Sequence, residues 1–335
     1  MSKTRQTNIE LCRIVAILLV LLVHSGVVSF GDIGKYDSSY RGILIMESFS
    51  IVCVNLFILI SGYFSISLRW QSVLRLVWIC VFYGLISVGM SYLLGFPVSY
   101  KSFLFVSGTN WFIATYIGLM LCSPMLNVFA EKATRNQLGY TIIILLAFQT
   151  WYDYIPRLMS DFQHGYSILS FSILYLMARY IRLYGMPMII RKYNIYIYIV
   201  ISLIISAFLI FSVEYGFHPR GFADLLLRYS NPLVICSAIS LFSYFESKKI
   251  NNSKAINYIA LSCVAVFLFH RSSFCVGYVN SLFRDLFFNH SGILVIIGWS
   301  GIILGEFFVA VIVDQVRLLI ERMVLFLYSR NRNRD

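Results

Sequence analysis

Long apolar runs and short polar segments alternate along the chain, and the runs are long enough to cross a membrane. A helix needs about 20 mainly apolar residues to span about 30 Å of hydrocarbon. Such runs predict ten spans, at residues 9–30, 43–64, 73–95, 111–129, 138–152, 166–184, 195–213, 225–245, 257–282 and 293–327. Because the connections are short, the pattern predicts an all-α polytopic membrane protein with about ten transmembrane helices, forming one domain over residues 1–335.

The composition agrees with a membrane protein. Hydrophobic residues make up 59% of the chain and charged residues 13%, whereas soluble domains contain about 45–50% and about 25%. The 23 Tyr and 5 Trp suit the membrane–water interfaces, where a ring lies in lipid and its polar tip in water. The 7 cysteines lie in or beside apolar runs and form no CxxC pair, which argues against metal or redox chemistry.

The distribution of positive charge predicts the orientation, because Lys and Arg accumulate in cytoplasmic loops. With the N-terminus inside, most of the 27 Lys and Arg residues fall in inner segments. Both termini are therefore predicted to be cytoplasmic, including a short basic tail at residues 328–335. Lys3 and Arg5 precede an apolar run without a small-x-small cleavage motif, which favours a retained first helix over a signal peptide. The net charge of +12 is spread over short loops, so nucleic-acid binding is not predicted.

Ionisable side chains inside the predicted spans are the first candidates for function, because each costs several kcal/mol unless it faces protein or water. The set consists of Glu10, Arg13, His24, His270, Arg271, Glu306 and Asp314. Glu47 lies close to the outer end of the second span and is predicted to be interfacial.

Three of these residues form one polar stripe on the first predicted helix. Arg13 and His24 are eleven positions apart, which is about 20° beyond three full turns and about 16 Å of rise. Glu10 precedes Arg13 by three positions and can pair with it. The stripe indicates a site that runs from one membrane surface past the middle of the bilayer. The alternative is an interfacial Glu10–Arg13 pair with His24 as a packing residue.

The remaining intramembrane groups leave two interpretations open. His270 is either functional or a buried packing residue, and Glu306 is either functional or part of an internal salt bridge. Arg271 could find a carboxylate on another helix. Asp314 with Arg317 is predicted to be an interfacial pair.

Histidines outside the spans and nucleotide motifs add nothing to the candidate site. His164, His218 and His290 fall in predicted outer loops and are expected to be solvated. Their spacings match no zinc pattern. No glycine-rich phosphate loop is present, so ATP or NAD binding is not predicted.

Four segments together resemble the acyltransferase-3 family of bacterial membrane proteins, which includes polysaccharide and O-antigen O-acetyltransferases. They are residues 8–24, with Arg13 and His24 separated by ten residues, residues 55–63, which end in Ser-Gly-Tyr, residues 110–124, which begin Asn-Trp-Phe, and residues 267–270. The resemblance covers about residues 8–315. Two features depart from the family pattern. Glu10 stands where many members have Asp, and Arg69 and Arg75 are six apart, whereas some members have a compact Arg-x-x-Arg.

The resemblance implies transfer of an acyl group, usually acetyl, from cytoplasmic acetyl-CoA or another acyl-CoA to a sugar hydroxyl. The acceptor would be a surface glycan or a lipid-linked sugar at a bacterial inner membrane, with no metal required. His24 would be the general base, Arg13 would orient the donor and Glu10 would hold Arg13.

The resemblance also assigns the two substrates to separate sets of residues. Arg69 and Arg75 would contact the coenzyme phosphates. Asn110 and Trp111 would line the sugar site, although an interface anchor and a helix cap are equally open readings for this pair. His270 and Glu306 are further candidates for substrate binding.

Two other functions remain open at this stage. A transporter or flippase could use intramembrane His, Arg and Glu as a proton relay or substrate path. A polysaccharide polymerase has a comparable number of spans, but usually carries a large outer loop that this chain lacks. A purely structural role fits least well with so many ionisable groups within the spans.

Overall fold

A computed structural model describes residues 5–32, 38–98, 110–154, 163–215, 225–290 and 292–332. The described chain forms thirteen α-helices: α1 Thr7–Asp32, α2 Ser38–Ser50, α3 Cys53–Phe64, α4 Trp70–Leu94, α5 Trp111–Lys132, α6 Arg135–Tyr154, α7 Ile168–Tyr184, α8 Met188–Glu214, α9 Pro232–Ser247, α10 Lys254–Ile259, α11 Cys263–His270, α12 Ser273–Asn289 and α13 Ile293–Arg332. No strand occurs in these ranges. The predicted all-α class is confirmed.

Six helical segments of the described chain are long and apolar enough to cross a membrane: Thr7–Ser25, Tyr40–Phe64, α4, α5, α8 and Ile293–Met323. A seventh is possible if Lys254–His270 and Ser273–Asn289, which are bent by 82°, count as one span. The predicted count of about ten is not confirmed. The helices α7 and α9 have only 17 and 16 residues. The helix α6 has 20 residues, but begins with polar Arg135, Asn136 and Gln137.

The first helix is the centre of the fold. It packs against α2, α3 and every helix from α9 to α13. Its residues Ile9, Cys12, Ala16 and Leu21 are fully buried. Since these positions recur at intervals of three to five residues, they cover a broad face of α1. Of the polar stripe on this helix, Glu10 is buried, whereas Arg13 and His24 are partly buried.

Close backbone approach brings α3 and α7 together. A Cβ atom added to Gly62 would stand 2.6 Å from the carbonyl oxygen of Tyr175, so only glycine allows this packing. The Tyr175 hydroxyl donates to Asn127 Oδ1 at 2.7 Å, and Asn127 Nδ2 donates to the Ile66 carbonyl at 2.9 Å. These bonds tie α5 and α7 to the chain that follows α3.

The segment predicted as one span at 257–282 is broken in the structure. Arg271 and Ser272 separate α11 from α12, and the bend between the two parts is 82°. The Ser273 backbone N–H donates to Ser87 Oγ of α4 at 3.3 Å. Non-helical backbone at membrane depth is tolerated where protein covers it or where it lines a cavity. The break places His270 at the end of a helix inside the bundle.

Two acidic residues predicted to be interfacial are covered by neighbouring helices, and their depth in the membrane stays a prediction. Glu47 is 7% exposed and Asp314 is fully buried. Arg317, which is 2% exposed, donates to Asp314 Oδ1 at 2.6 Å and also pairs with Glu321. Tyr83 of α4 donates to Asp314 at 3.2 Å. This buried network holds α4 against α13.

The orientation prediction rests partly on residues whose structure is not described. Lys3, Lys35, Lys101, Arg157 and Arg220 lie outside the described residues, as do His218 and the last three residues of the predicted tail. The assignment of both termini to the cytoplasm therefore stays a prediction.

Candidate active site

Glu10 and Arg13 form an ion pair near the beginning of α1. Arg13 Nη1 lies 2.7 Å from Glu10 Oε2, and Arg5 Nη1 lies 3.6 Å from Glu10 Oε1. The Glu10 side chain is 8% exposed and the Arg13 side chain 28%. Since a carboxylate fixes a guanidinium most firmly through charge-assisted hydrogen bonds, Glu10 restricts the directions in which Arg13 can point.

His24, which is partly buried, is the first member of a chain of three side chains whose other two members, His270 and Glu306, are buried. Its Nδ1 atom lies 3.0 Å from His270 Nε2, and His270 Nδ1 lies 2.6 Å from Glu306 Oε1. The two imidazole rings stack, with centroids 4.9 Å apart and planes inclined by 16°. Residues that are 246 and 36 positions apart in sequence, on α1, α11 and α13, thus form one hydrogen-bonded line.

The line fixes the tautomers of both rings when they are neutral. A Glu306 carboxylate can only accept, so the His270 Nδ1–H donates to it. His270 Nε2 then carries a lone pair and accepts the His24 Nδ1–H. The remaining nitrogen, His24 Nε2, carries a lone pair. A carboxylate that orients an imidazole through its far nitrogen also raises the basicity of the near one.

Further contacts support both ends of this line. The Cys275 thiol donates to Glu306 Oε1 at 3.2 Å. The second oxygen, Glu306 Oε2, is buried and has no hydrogen-bond partner among the described residues. Trp299 Nε1 donates to Ser25 Oγ at 2.7 Å, which joins α13 to α1 one residue beyond His24. The carboxylate and the imidazole are therefore held on two helices that are themselves pinned together.

His24 also forms part of the wall of an internal cavity of about 150 Å³. Ile17 and Cys263 line the end closer to Arg13, and the Cys263 thiol contacts the Arg13 carbonyl at 3.7 Å. Trp111 lines the same cavity. His270 and Glu306 are not among its lining residues and lie behind His24. Of the three acid–base side chains, His24 is the one that a bound molecule can reach from this cavity.

Aromatic side chains form the part of the cavity around Trp111. Its ring centroid lies 4.3 Å from that of Tyr166 and 6.0 Å from that of Tyr229. Phe112 lies beside Trp111 and stacks on Tyr116. All of these rings except that of Tyr116 line the cavity. Aromatic faces of this kind pack well against the apolar faces of sugar rings and against acyl chains.

A tight turn places Tyr166 against Tyr229. His164 and Gly165 both have positive φ, at 56° and 97°. A Cβ atom added to Gly165 would lie 2.5 Å from Tyr229 Cβ, so this position requires glycine for both conformation and space. Positive φ at His164 is uncommon for a residue with a side chain. His164, predicted to be solvated, is 43% exposed and lies 3.7 Å from the buried Asp153 carboxylate.

The structure brings some of the predicted site residues together and separates others. His24 and Trp111 share the cavity wall. Asn110 is buried and lines a small second cavity with Arg271. Arg271 has no carboxylate within ion-pair distance among the described residues, which differs from the partner expected for it.

Arg69 and Arg75 lie apart from the cavity. Both are exposed, and Arg75 Nη2 is 3.5 Å from Glu321 Oε2. Their roles as coenzyme contacts stay predictions.

Sequence reasoning missed Tyr166, Tyr229 and Cys263 as wall residues. Tyr166 and Tyr229 lie near predicted interfaces, where tyrosine is common, and nothing in their spacing distinguishes them. An ionisable residue within a predicted span marked His270 as a candidate. The sequence did not show that His270 would lie between His24 and Glu306.

Comparison with known proteins identifies the family. A profile described as an acyltransferase domain matches residues 6–314, which is nearly the whole chain. The chain belongs to the acyltransferase-3 family. The predicted resemblance is confirmed, and the protein is a multi-pass membrane acyltransferase. No curated protein sequence and no solved structure matches this acyltransferase.

Proposed function

We propose that this acyltransferase moves an acetyl group, or a related acyl group, from cytoplasmic acyl-CoA to a sugar hydroxyl. The acceptor is a cell-surface polysaccharide, such as an O-antigen, or its lipid-linked precursor. The observation that carries the proposal is the geometry of His24, which faces the cavity while its Nδ1 atom is held by His270, which is held in turn by Glu306. An imidazole with one nitrogen held and the other free is suited to general-base catalysis.

In the proposed reaction, His24 Nε2 takes the proton of the sugar hydroxyl as the hydroxyl oxygen attacks the thioester carbonyl. A carbon–oxygen bond forms and the carbon–sulfur bond breaks. The proton then passes from His24 to the coenzyme A thiolate, which leaves as a thiol. Glu306, acting through His270, stabilises the positive charge on His24 between the two transfers. His270 and Glu306 are thus positioning residues, rather than the substrate contacts predicted from sequence.

The donor is proposed to enter from the side of Arg13. Ile17, which lines the cavity, follows Arg13 by about one helical turn, and Cys263, which also lines it, contacts the Arg13 carbonyl. Arg13, held by Glu10, orients the coenzyme end of the donor, because a guanidinium fork binds phosphate oxygens in pairs. Arg69 and Arg75 contact the coenzyme phosphates at the exposed surface.

The acceptor is proposed to reach His24 from the opposite end, past Trp111 and Asn110. The proposal includes cytoplasmic N- and C-termini and a location in a bacterial inner membrane. Trp111 packs on the sugar ring, since its neighbours Tyr166 and Tyr229 already form an aromatic wall. Asn110 precedes Trp111 but lines the second cavity, so it is proposed to offer its amide to sugar hydroxyls only beyond the wall of the cavity of His24.

The proposal is tested by replacing His24 with alanine and measuring two outputs. Acyl-CoA-dependent release of coenzyme A in membranes and the acyl content of the surface glycan, by mass, should both fall by about 100-fold or more, because a general base contributes about 10²–10⁴-fold. The His290→Ala variant, which changes an exposed histidine, serves as the control. Full activity in His24→Ala protein that inserts and accumulates normally would disprove the assignment.

One structural observation favours transport as the second candidate. The helix pair α11–α12 is broken inside the bundle, and discontinuous helices of this kind form substrate sites in transporters. Washed membranes discriminate between the two functions. A transporter moves its substrate without acyl-CoA, whereas the proposed enzyme changes the glycan only when acyl-CoA is supplied.

A further inference from the structure

The cavity beside His24 has a wall with an aliphatic part and an aromatic part. The aliphatic part consists of Ile17, Val20, Val23, Val54, Ile113 and Val264, and the aromatic part consists of Phe57, Phe267 and the rings around Trp111. No Asp, Glu, Lys or Arg side chain of the described residues lines it. Val20 and Val54 are each 5% exposed and Ile113 is 1% exposed, so this part of the wall is shielded from the membrane by surrounding helices.

The volume of the cavity indicates the size of its occupant. An engineered cavity of about 150 Å³ lined by leucine, isoleucine and phenylalanine stays dry and binds benzene. The cavity here is also about 150 Å³. It therefore has room for an apolar group of about six carbons, whereas an acetyl group has a single methyl beyond its carbonyl. The cavity is larger than an acetyl group requires.

The chemistry of the wall distinguishes between the parts of the two substrates. Sugar hydroxyls and the amides of the coenzyme arm lose hydrogen bonds to water when they lie against aliphatic side chains, and each group left unpaired is unfavourable. A hydrocarbon chain has no such groups and gains free energy on burial. The acyl chain of the donor is therefore the part of the two substrates that matches the aliphatic residues, whereas the apolar face of a sugar matches the aromatic residues around Trp111.

We propose that the cavity beside His24 binds the acyl chain of the donor and that its wall selects acyl groups longer than acetyl, up to about six carbons. This inference rests on the proposed function. The thioester carbonyl lies at His24, and the acyl chain extends among Val20, Val54 and Val264. The acyl group is transferred from the coenzyme sulfur to the acceptor oxygen while its chain stays in the cavity. The donor is accordingly a butyryl-like to hexanoyl-like acyl-CoA.

The experiment measures kcat/KM of the full-length protein for a series of saturated acyl-CoA donors, from acetyl to octanoyl. Coenzyme A release is followed in membranes that carry the acceptor glycan. Each methylene that fits should raise kcat/KM by about four-fold, the factor that corresponds to burial of one methylene. A chain that exceeds the cavity should lose this gain, because overfilling a packed site is unfavourable.

Substitutions at Val264 test whether the wall sets the limit. Val264→Ala enlarges the cavity and should shift the preferred donor toward longer chains. Val264→Leu narrows it and should lower the ratio of hexanoyl to acetyl transfer. Val266→Ala is the matched control, since Val266 is on the same helix and fully buried but does not line the cavity. The ratio of hexanoyl to acetyl transfer in this variant should equal that of the wild type.

The outcomes separate the two proposals. A peak between butyryl and hexanoyl that moves with Val264 but not with Val266 supports the acyl-chain cavity. Transfer that is fastest with acetyl-CoA, or a profile that the Val264 variants leave unchanged, overturns it while the proposed function stands. Absence of transfer from every donor in the series, in wild-type protein that inserts normally, refutes the proposed function and this inference with it.

Discussion

His270 Nε2 lies 3.0 Å from His24 Nδ1, and the two rings are nearly parallel. Neither ring can rotate freely, because Glu306 holds the other side of His270 at 2.6 Å. The relationship gives His24 a defined tautomer and directs its activity to one nitrogen. His24 is thereby linked through His270 to a buried carboxylate, which is the arrangement that the proposed general-base role requires.

Replacing Glu306 with glutamine should lower kcat while leaving the KM values for donor and acceptor nearly unchanged. The amide has the shape of the carboxylate but lacks its charge, so it stabilises the His24 imidazolium less well. Replacing the carboxylate that orients a catalytic histidine by an amide costs up to about 10⁴-fold in kcat. Steady-state kinetics with both substrates varied would separate the two parameters.

The control for this variant is Gln315→Glu, which changes a polar side chain on the same helix that bonds to Ser262 and Tyr258 rather than to the histidine chain. A rise in KM without a change in kcat for Glu306→Gln would place Glu306 in substrate binding, as first predicted from the sequence.

Replacing Asp314 with asparagine should destabilise the protein strongly. Arg317 is 2% exposed and would lose its charged partner at 2.6 Å, keeping only Glu321. Removing one member of a buried ion pair costs about 3–5 kcal/mol, and the remaining carboxylate should keep the loss at about 3 kcal/mol. Thermal unfolding in detergent, followed by fluorescence, measures the change.

Asp285→Asn provides the comparison for that variant, since Asp285 is exposed and bonds only to Asn289 among the contacts described for it. Surface changes of this kind alter stability by about 0.5 kcal/mol or less. Equal melting temperatures for the two variants would show that the buried network does not stabilise the fold.

The sequence was sufficient to predict the polar stripe on α1, but not the residues on other helices that bond to it. The eleven-residue spacing of Arg13 and His24 follows from helix geometry alone. The distance from His24 to His270 does not, because it depends on how α1 and α11 pack. Apolar residues of a membrane helix face lipid as well as protein, so the hydrophobic pattern does not reveal which face meets a neighbour.

The sequence also did not predict the break between α11 and α12. Residues 257–282 read as one apolar run, although Arg271 and Ser272 interrupt the helix. Neither proline nor a glycine pair marks the position. The bonds that compensate the interruption, such as that from the Ser273 N–H to Ser87 Oγ, join segments far apart in sequence. Packing rather than local preference therefore sets the position of His270.

Replacing Gly165 with alanine should impair use of the acceptor more than it impairs folding. The position has φ of 97°, and the new Cβ would meet Tyr229 Cβ at 2.5 Å. The backbone conformation alone costs about 1–3 kcal/mol for a residue with a Cβ. The contact between the new Cβ and Tyr229 should also displace Tyr166 or Tyr229, whose rings form the wall around Trp111.

Gly185→Ala is the matched control for this effect. Gly185 also has positive φ, at 85°, but nothing lies within 4 Å of its added Cβ. Both variants should therefore lose comparable backbone stability, and only Gly165→Ala should raise the KM for the acceptor glycan. Acyl-transfer kinetics and thermal unfolding of the two proteins, measured side by side, check the expectation. If the two variants raised the acceptor KM equally, the effect would come from backbone strain, and the aromatic wall would have no part in acceptor binding.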